Sequence, residues 1–267
     1  MLLTLVTAVA ALADPAPAPP PPGASVDTMR RRVDTILTEL ERRGDGLKDI
    51  RCKVRYVEDD RLNLTRREKE GTILLQMAEP NPRILIYFDR TKVDDVRPKK
   101  QKQWYLFDGA WAYSAIERVG QVTKQQVARP GERINLFDIE NSPFPLPFGH
   151  KKEDIRGSFD VALVAPAKGD PPGADHLVCI PKADSRVARK YKKVEFFILR
   201  DVHLPVRVVV TKNGFETNTA DFPDLSAKSI NTGVRASDFA QPRAWRGYGW
   251  VIQPIESDRD AERRSAP

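Results

Sequence analysis

The chain reads as mainly β with one substantial helix, an α+β fold. The expected form is a curled antiparallel β half-barrel of about ten strands, with an N-terminal amphipathic helix and loop or helix lids over an apolar cavity. Three observations predict it. Short runs of alternating apolar and polar residues recur from Leu47 to Phe222, which is the period of half-buried strands. Asp108-Gly109 and Asn213-Gly214 fall between such runs and read as tight hairpin turns, because these residues reach positive φ at low cost. Only residues 27–43 show an extended helical period. A sheet of that many strands curls rather than staying flat. A helix with a single apolar stripe then belongs in the mouth of the curl.

The 267 residues suffice for one large β domain. Residues 1–13 are apolar, uncharged and too short to span a bilayer. They end in Ala11-Leu12-Ala13, a small-x-small pattern suited to signal-peptide cleavage after Ala13, so the expected location is periplasmic. Residues 14–25 are Pro/Ala-rich and read as an extended linker, 26–252 as the folded domain, and 253–267 as a disordered charged tail. Lys and Arg outnumber Asp and Glu by 44 to 37, with clusters at 30–32, 97–102 and 186–193. In an exported chain such clusters point to anionic lipid headgroups or are solvated faces without a partner, and no nucleic-acid partner is expected. A monomer is expected. The two cysteines, Cys52 and Cys179, fit either one disulfide or two separate buried thiols.

In the helix, Met29, Val33, Ile36, Leu37 and Leu40 form one stripe opposite Arg30, Arg31, Asp34 and Glu41; Asp27 suits the N-cap, and Gly44 and Gly46 end the run. Residues 47–57 put Ile50, Cys52, Val54 and Tyr56 on one face and Arg51, Lys53 and Arg55 on the other. Residues 58–67 are polar and read as a long turn. Strands follow at 71–78 and 83–91 around Glu79-Pro80-Asn81-Pro82. In the second of these, Ile84, Ile86 and Phe88 share a face while Leu85 and Tyr87 are also large, so both faces are partly covered. Residues 103–107, 111–116 and 122–127 form a meander through Asp108-Gly109 and Gly120. Residues 129–149 carry Pro130, Pro143, Pro145 and Pro147 among Leu136, Phe137, Phe144, Leu146 and Phe148. So many prolines exclude a regular element, leaving a short helix with a capping loop, or a flap over an apolar cavity. Strands resume at 159–165, 174–182, 193–200, 205–212 and 215–222, with a short basic helical turn at 185–191 and a weaker strand at 225–234.

Catalytic patterns are missing from the sequence: it has no Gly-x-Ser-x-Gly, phosphate loop, His-Glu-x-x-His or Cys-x-x-Cys. His150, His176 and His203 fall in unrelated segments without ligand spacing, and Glu58-Asp59-Asp60 lacks the glycine and closing glutamate of a calcium loop. The expectation is a binding protein rather than an enzyme, with no metal and no cofactor.

Several segments, in order, carry a family resemblance. They are Gly71-Thr72-Ile73-Leu74-Leu75 leading to Pro80 or Pro82 and Arg83-Ile84-Leu85-Ile86; then Asp108-Gly109, Trp111, Tyr113 and Gln121-Val122-Thr123; then Phe144-Pro145-Leu146, Leu204-Pro205 and Asn213-Gly214. Behind an exported N-terminus and an amphipathic helix, this order resembles the LolA-type periplasmic outer-membrane lipoprotein carriers and lipoprotein-sorting proteins. The resemblance implies an open half-barrel closed by helical lids, cargo of acylated lipoprotein or lipid, an inner-membrane release complex and an outer-membrane acceptor. Burying an acyl chain gains about 0.8 kcal/mol per CH₂, so such a cavity suits transient extraction. The residues expected to line it are Val33, Ile36, Leu37, Ile73, Leu75, Ile84, Ile86, Phe88, Trp111, Tyr113, Phe196 and Ile198; the alternative is that these residues simply form a filled core. Glu79 precedes Pro80 where the family has arginine, so its lid gating is not carried over. A second function expected for the same fold is an envelope-stress sensor that binds a protein partner.

Overall fold

A computed structural model of the chain describes residues 26–94, 96–134 and 148–255. The expected signal peptide 1–13 and linker 14–25, most of the proline-bearing stretch and the tail beyond 255 lie outside the described residues. Helix α1 spans Val26–Asp45. Six strands follow: β1 Asp49–Asp60, β2 Thr65–Gln76, β3 Arg83–Val93, β4 Lys99–Phe107, β5 Trp111–Ile116 and β6 Gln121–Gln126. A short helix α2, Lys152–Ser158, precedes β7 Phe159–Val164, β8 Ala174–Pro181, β9 Tyr191–Leu199, β10 Leu204–Lys212, β11 Glu216–Asp221 and β12 Gly249–Gln253. The strands form one curled, unclosed sheet in the order β12-β6-β5-β4-β3-β2-β1-β11-β10-β9-β8-β7.

Two antiparallel meanders, β1–β6 and β7–β11, meet where Arg55 pairs with Asp221 and Asp60 with Glu216. Because side chains alternate along every strand, the ladder divides the residues between two faces. Ile50, Cys52, Val54 and Tyr56 of β1 stand opposite Leu75, Ile73, Gly71 and Lys69 of β2, and Ile73 stands opposite Ile86 of β3. This helix face carries the larger core, where Val33, Ile36, Leu37 and Leu40 of α1 pack with Leu163, Leu177, Phe196 and Ile198. The outer face is also covered. Leu74, Trp104, Leu106, Tyr113 and Val122 pack there beneath Val234, Phe239 and Trp245 of the C-terminal segment. The expectation that Leu85 and Tyr87 are covered as well is met by this second cluster.

Several expectations are corrected. Among the described residues the sheet has twelve strands, where about ten were expected. The polar stretch 58–67 is mostly strand, with Asp60 paired to Thr65; it is polar on both faces because Arg55 binds Glu68 on one and Lys69 binds Glu58 on the other. Residues 225–234 contribute only an isolated bridge, Ile50 to Ile230. Beyond it the backbone turns to satisfy buried Asp49, which accepts from the amides of Thr232 and Gly233 and the Thr232 hydroxyl. β12 lay in no expected element and pairs parallel with β6, Gly249 beside Gln121. At the β4–β5 hairpin, Gly109 takes φ 107°, while Asp108 serves as the side-chain acceptor for the amides of Ala110 and Trp111 rather than as a positive-φ residue. The basic turn expected at 185–191 is a 3-10 turn, Arg186–Arg189.

Candidate functional site

Helix α1 lies over the β7–β10 half of the helix face. Ile155 of α2, Phe148 and Phe159 complete that packing. Toward the end of the sheet that carries the β1–β2 turn the apolar face continues as a shelf around buried Phe88, where Tyr56, Ile86, Tyr105, Tyr191, Val210 and Ala220 are only half-buried. The ring centroids of Tyr56 and Phe88 lie 6.4 Å apart, and those of Phe88 and Tyr105 lie 6.3 Å apart edge-to-face. Such spacing is within the attractive range of aromatic pairs.

One lysine lies across this shelf. The Lys69 Nζ is 5.8 Å from the Tyr56 ring centroid, 5.9 Å from that of Phe88 and 3.3 Å from Glu58 Oε1. Its aliphatic stem covers apolar surface while its head stays paired, the usual way for a long cation to border a greasy patch. Burial, with Glu58 nearby, pushes the phenols of Tyr56 and Tyr105 above their ordinary value, so both stay neutral. The shelf therefore offers a neutral apolar surface bordered by the ion pairs Lys69–Glu58 and Lys212–Glu216.

Cys52 and Cys179 are free and buried, which settles the disulfide alternative. Burial, joined by Asp224 at Cys52 and by Glu195 at Cys179, pushes both thiols up to about 12, so neither supplies a thiolate nucleophile. Among the described residues, no group of three His, Cys, Asp or Glu is arranged to hold a metal, and no helix is long and apolar enough to cross a membrane.

Ten of the twelve expected lining residues meet in the helix-face cluster: Val33, Ile36, Leu37, Ile73, Leu75, Ile84, Ile86, Phe88, Phe196 and Ile198. Of these ten, all but Ile86 are exposed by 8% or less. Trp111 and Tyr113 are not brought together with them. Pairing of Phe107 with Ala112 puts Ala112 on the helix face, so its two neighbours point to the outer face. There Tyr113 packs beside Trp245 and donates to Asp108 Oδ2 at 2.9 Å, and Lys124 sits 4.2 Å from the Trp111 ring centroid. The half-buried residues Tyr105, Tyr191, Val210 and Ala220 were not expected at the site. Alternation along β4 from Phe107 would have placed Tyr105, whereas Tyr191 lies just before a bulge at Lys192 that alternation does not foresee.

Asn81 ties together three segments beside the sheet. Buried to 2% exposure, it donates to the carbonyls of Gly109 and Glu132, both at 2.7 Å, and accepts from the Ile134 amide at 2.9 Å. Next to it, Glu79 forms an ion pair with Arg133. Both partners are well exposed, so the pair adds little stability. On the outer face a groove of about 470 Å³ runs over Leu74, Leu85, Tyr87 and Trp104 toward Pro242.

No family model matches the chain, and no curated protein does. Among solved structures it is similar to an uncharacterized conserved protein from Thermus thermophilus, with 10% identity over 83% of this chain and 99% of that one, at a TM-score of 0.47. It is also similar to a chain of the Pseudomonas aeruginosa MucA/MucB complex, with 12% identity over 80% of this chain and 62% of that one, at 0.41. A LolA superfamily protein from Nitrosomonas europaea matches with 11% identity over 78% of this chain and 97% of that one, at 0.34.

Proposed function

We propose that the protein is a non-enzymatic carrier that takes up an acyl chain, of a lipid or an acylated lipoprotein, against the helix face of its sheet. The observation that carries this reading is the half-buried shelf of Tyr56, Ile86, Tyr105 and Val210, continuous with the main core and left uncovered by α1. A methylene chain laid there gains about 0.8 kcal/mol per buried CH₂. Of the expected lining residues, Ile86 lies on this shelf, while Val33, Ile36, Leu37, Ile73, Leu75, Ile84, Phe88, Phe196 and Ile198 are buried already and support it from behind. Export and periplasmic work belong to the same reading and rest on residues 1–13, while delivery from an inner-membrane release complex and transfer to an outer-membrane acceptor rest on the sequence resemblance.

Native mass spectrometry of the purified protein and titration with a palmitoylated peptide test it. The expected result is saturable binding that Ile86→Glu with Tyr105→Glu abolishes. Absence of binding by the folded wild-type protein overturns the reading. A second reading, a sensor that binds a protein partner, is favoured by the apolar groove over Leu85, Tyr87 and Trp104. A partner captured from envelope extract and lost on Leu85→Glu, with no acyl binding, supports it.

A further inference from the structure

Antiparallel order brings the turns β1–β2, β3–β4, β5–β6 and β10–β11 and the 3-10 turn Arg186–Arg189 to one end of the sheet. The Arg61 amide donates to the Phe215 carbonyl, the Asp94 amide to the Arg66 carbonyl, and the Asn213 amide to the Lys190 carbonyl, so neighbouring tips touch. Large apolar side chains stand outward on these tips: Leu62 is 70% exposed, Leu64 86%, Val96 56%, Val119 54% and Phe215 65%. Isolated exposed apolar residues are ordinary, but here five share one rim.

The same rim is strongly basic. Residues 59–67, 94–100, 117–120, 182–192 and 212–216 hold thirteen Lys or Arg against seven Asp or Glu, an excess of six where the whole chain has seven. The carboxylates that end β1 are engaged locally. Asp60 accepts from the amides of Leu62 and Asn63, and Asp59 lies 3.7 Å from Arg66.

We propose that this rim docks the protein on the surface of an anionic lipid bilayer, with Leu62, Leu64, Val96 and Phe215 dipping between headgroups and the surrounding Lys and Arg held by their charge. Protruding apolar residues ringed by cations suit the bilayer interface, where apolar burial and electrostatic attraction add. Nucleic acid would use the cations but not the apolar tips. The helix-face shelf lies just behind the rim, since Tyr56 precedes the Arg61 turn on β1 and Lys69 follows it on β2. The inference goes beyond acyl carriage and stands apart from it: docking without chain uptake leaves it intact.

The test is co-sedimentation of the full chain with phosphatidylcholine vesicles, with or without about one-third phosphatidylglycerol, at low and high salt. The expected result is pelleting with the anionic vesicles that weakens with salt. Leu62→Ser with Leu64→Ser, and separately Phe215→Ser, should lower the partition at least tenfold while circular dichroism is unchanged. Arg186→Glu with Arg189→Glu should remove the preference for anionic vesicles. If one hairpin variant misfolds, the other decides, since the two lie on different hairpins. No pelleting with anionic vesicles, equal pelleting by wild type and tip variants, or retention on nucleic acid alone overturns the proposal.

Discussion

Gly71→Ala is the sharpest test of the register that sets the two faces. Gly71 sits where β2 meets a bulge in β3: Glu70 pairs with Arg90 and Gly71 with Phe88, so Asp89 is the unmatched residue. A Cβ on Gly71 would lie 1.9 Å from the Tyr87 carbonyl oxygen and 2.8 Å from the Phe88 Cα. A carbon–oxygen contact needs about 3.3 Å, so β3 would have to retreat by about 1.4 Å or lose its pairing there. Both obstacles are backbone, and no side chain can rotate away. Overpacking of this kind costs about 1–3 kcal/mol and sometimes more; the backbone clash puts this site at about 3 kcal/mol or above. For a domain of this size that lowers Tm by about 6–12 °C. Differential scanning calorimetry and urea unfolding measure it, with Gly157→Ala as control, since that glycine lies in α2 with nothing near its Cβ position. The control should be neutral or slightly stabilising. A loss below about 1 kcal/mol for Gly71→Ala refutes the reasoning and the bulge with it.

Trp245→Ala should destabilise by about 3–5 kcal/mol and free the C-terminal segment, because Trp245 is 1% exposed and packs on Trp104 and Tyr113; limited proteolysis after residue 234 reads it. Asn81→Ala should cost about 2–3 kcal/mol in urea unfolding, as it strands the carbonyls of Gly109 and Glu132 and the Ile134 amide. Burial opposes ionisation of Glu195, yet His176 at 3.2 Å and Lys193 at 3.0 Å hold its pKa below the ordinary 4.5. A depressed carboxylate pKa contributes stability above the unfolded value and loses it as pH falls through the folded one, so Glu195→Gln should flatten the fall in Tm on acidification below pH 4.5. Cys52 and Cys179, with thiols pushed up to about 12, should resist alkylation at neutral pH until the protein is unfolded, as mass spectrometry of iodoacetamide-treated samples shows.

Much of the fold was legible because it rests on local periodicity. Residues 27–43 read as a helix and α1 spans Val26–Asp45; alternation from Ile50 to Tyr56 fixed the faces of β1. The large residues at both parities of β3 announced that both sides of the sheet are covered. What stayed hidden depends on distant pairing. Trp111 and Tyr113 could be assigned a face only once Phe107 was known to pair with Ala112. Residues 58–67 read as turn because charge pairs across strands, invisible one strand at a time, let polar residues form a ladder. β12 is five residues long, and its place beside β6 depends on Trp245 anchoring the segment before it. At the candidate site, the apolar floor was readable, whereas the boundary between the part α1 covers and the part it leaves open was not.

The seam between the two meanders bears on how the molecule is made. β1–β6 can assemble as a run of neighbouring hairpins, and β7–β11 as another, yet they are stitched through Arg55 and Asp221, which the chain separates widely. Closing so long a loop is slow, because its entropy must be spent before the contacts return anything. The first strand therefore has an open edge until β11 has been synthesised. Throughout that interval the nascent chain exposes the sheet edge that the mature protein hides, and a chaperone would find it there.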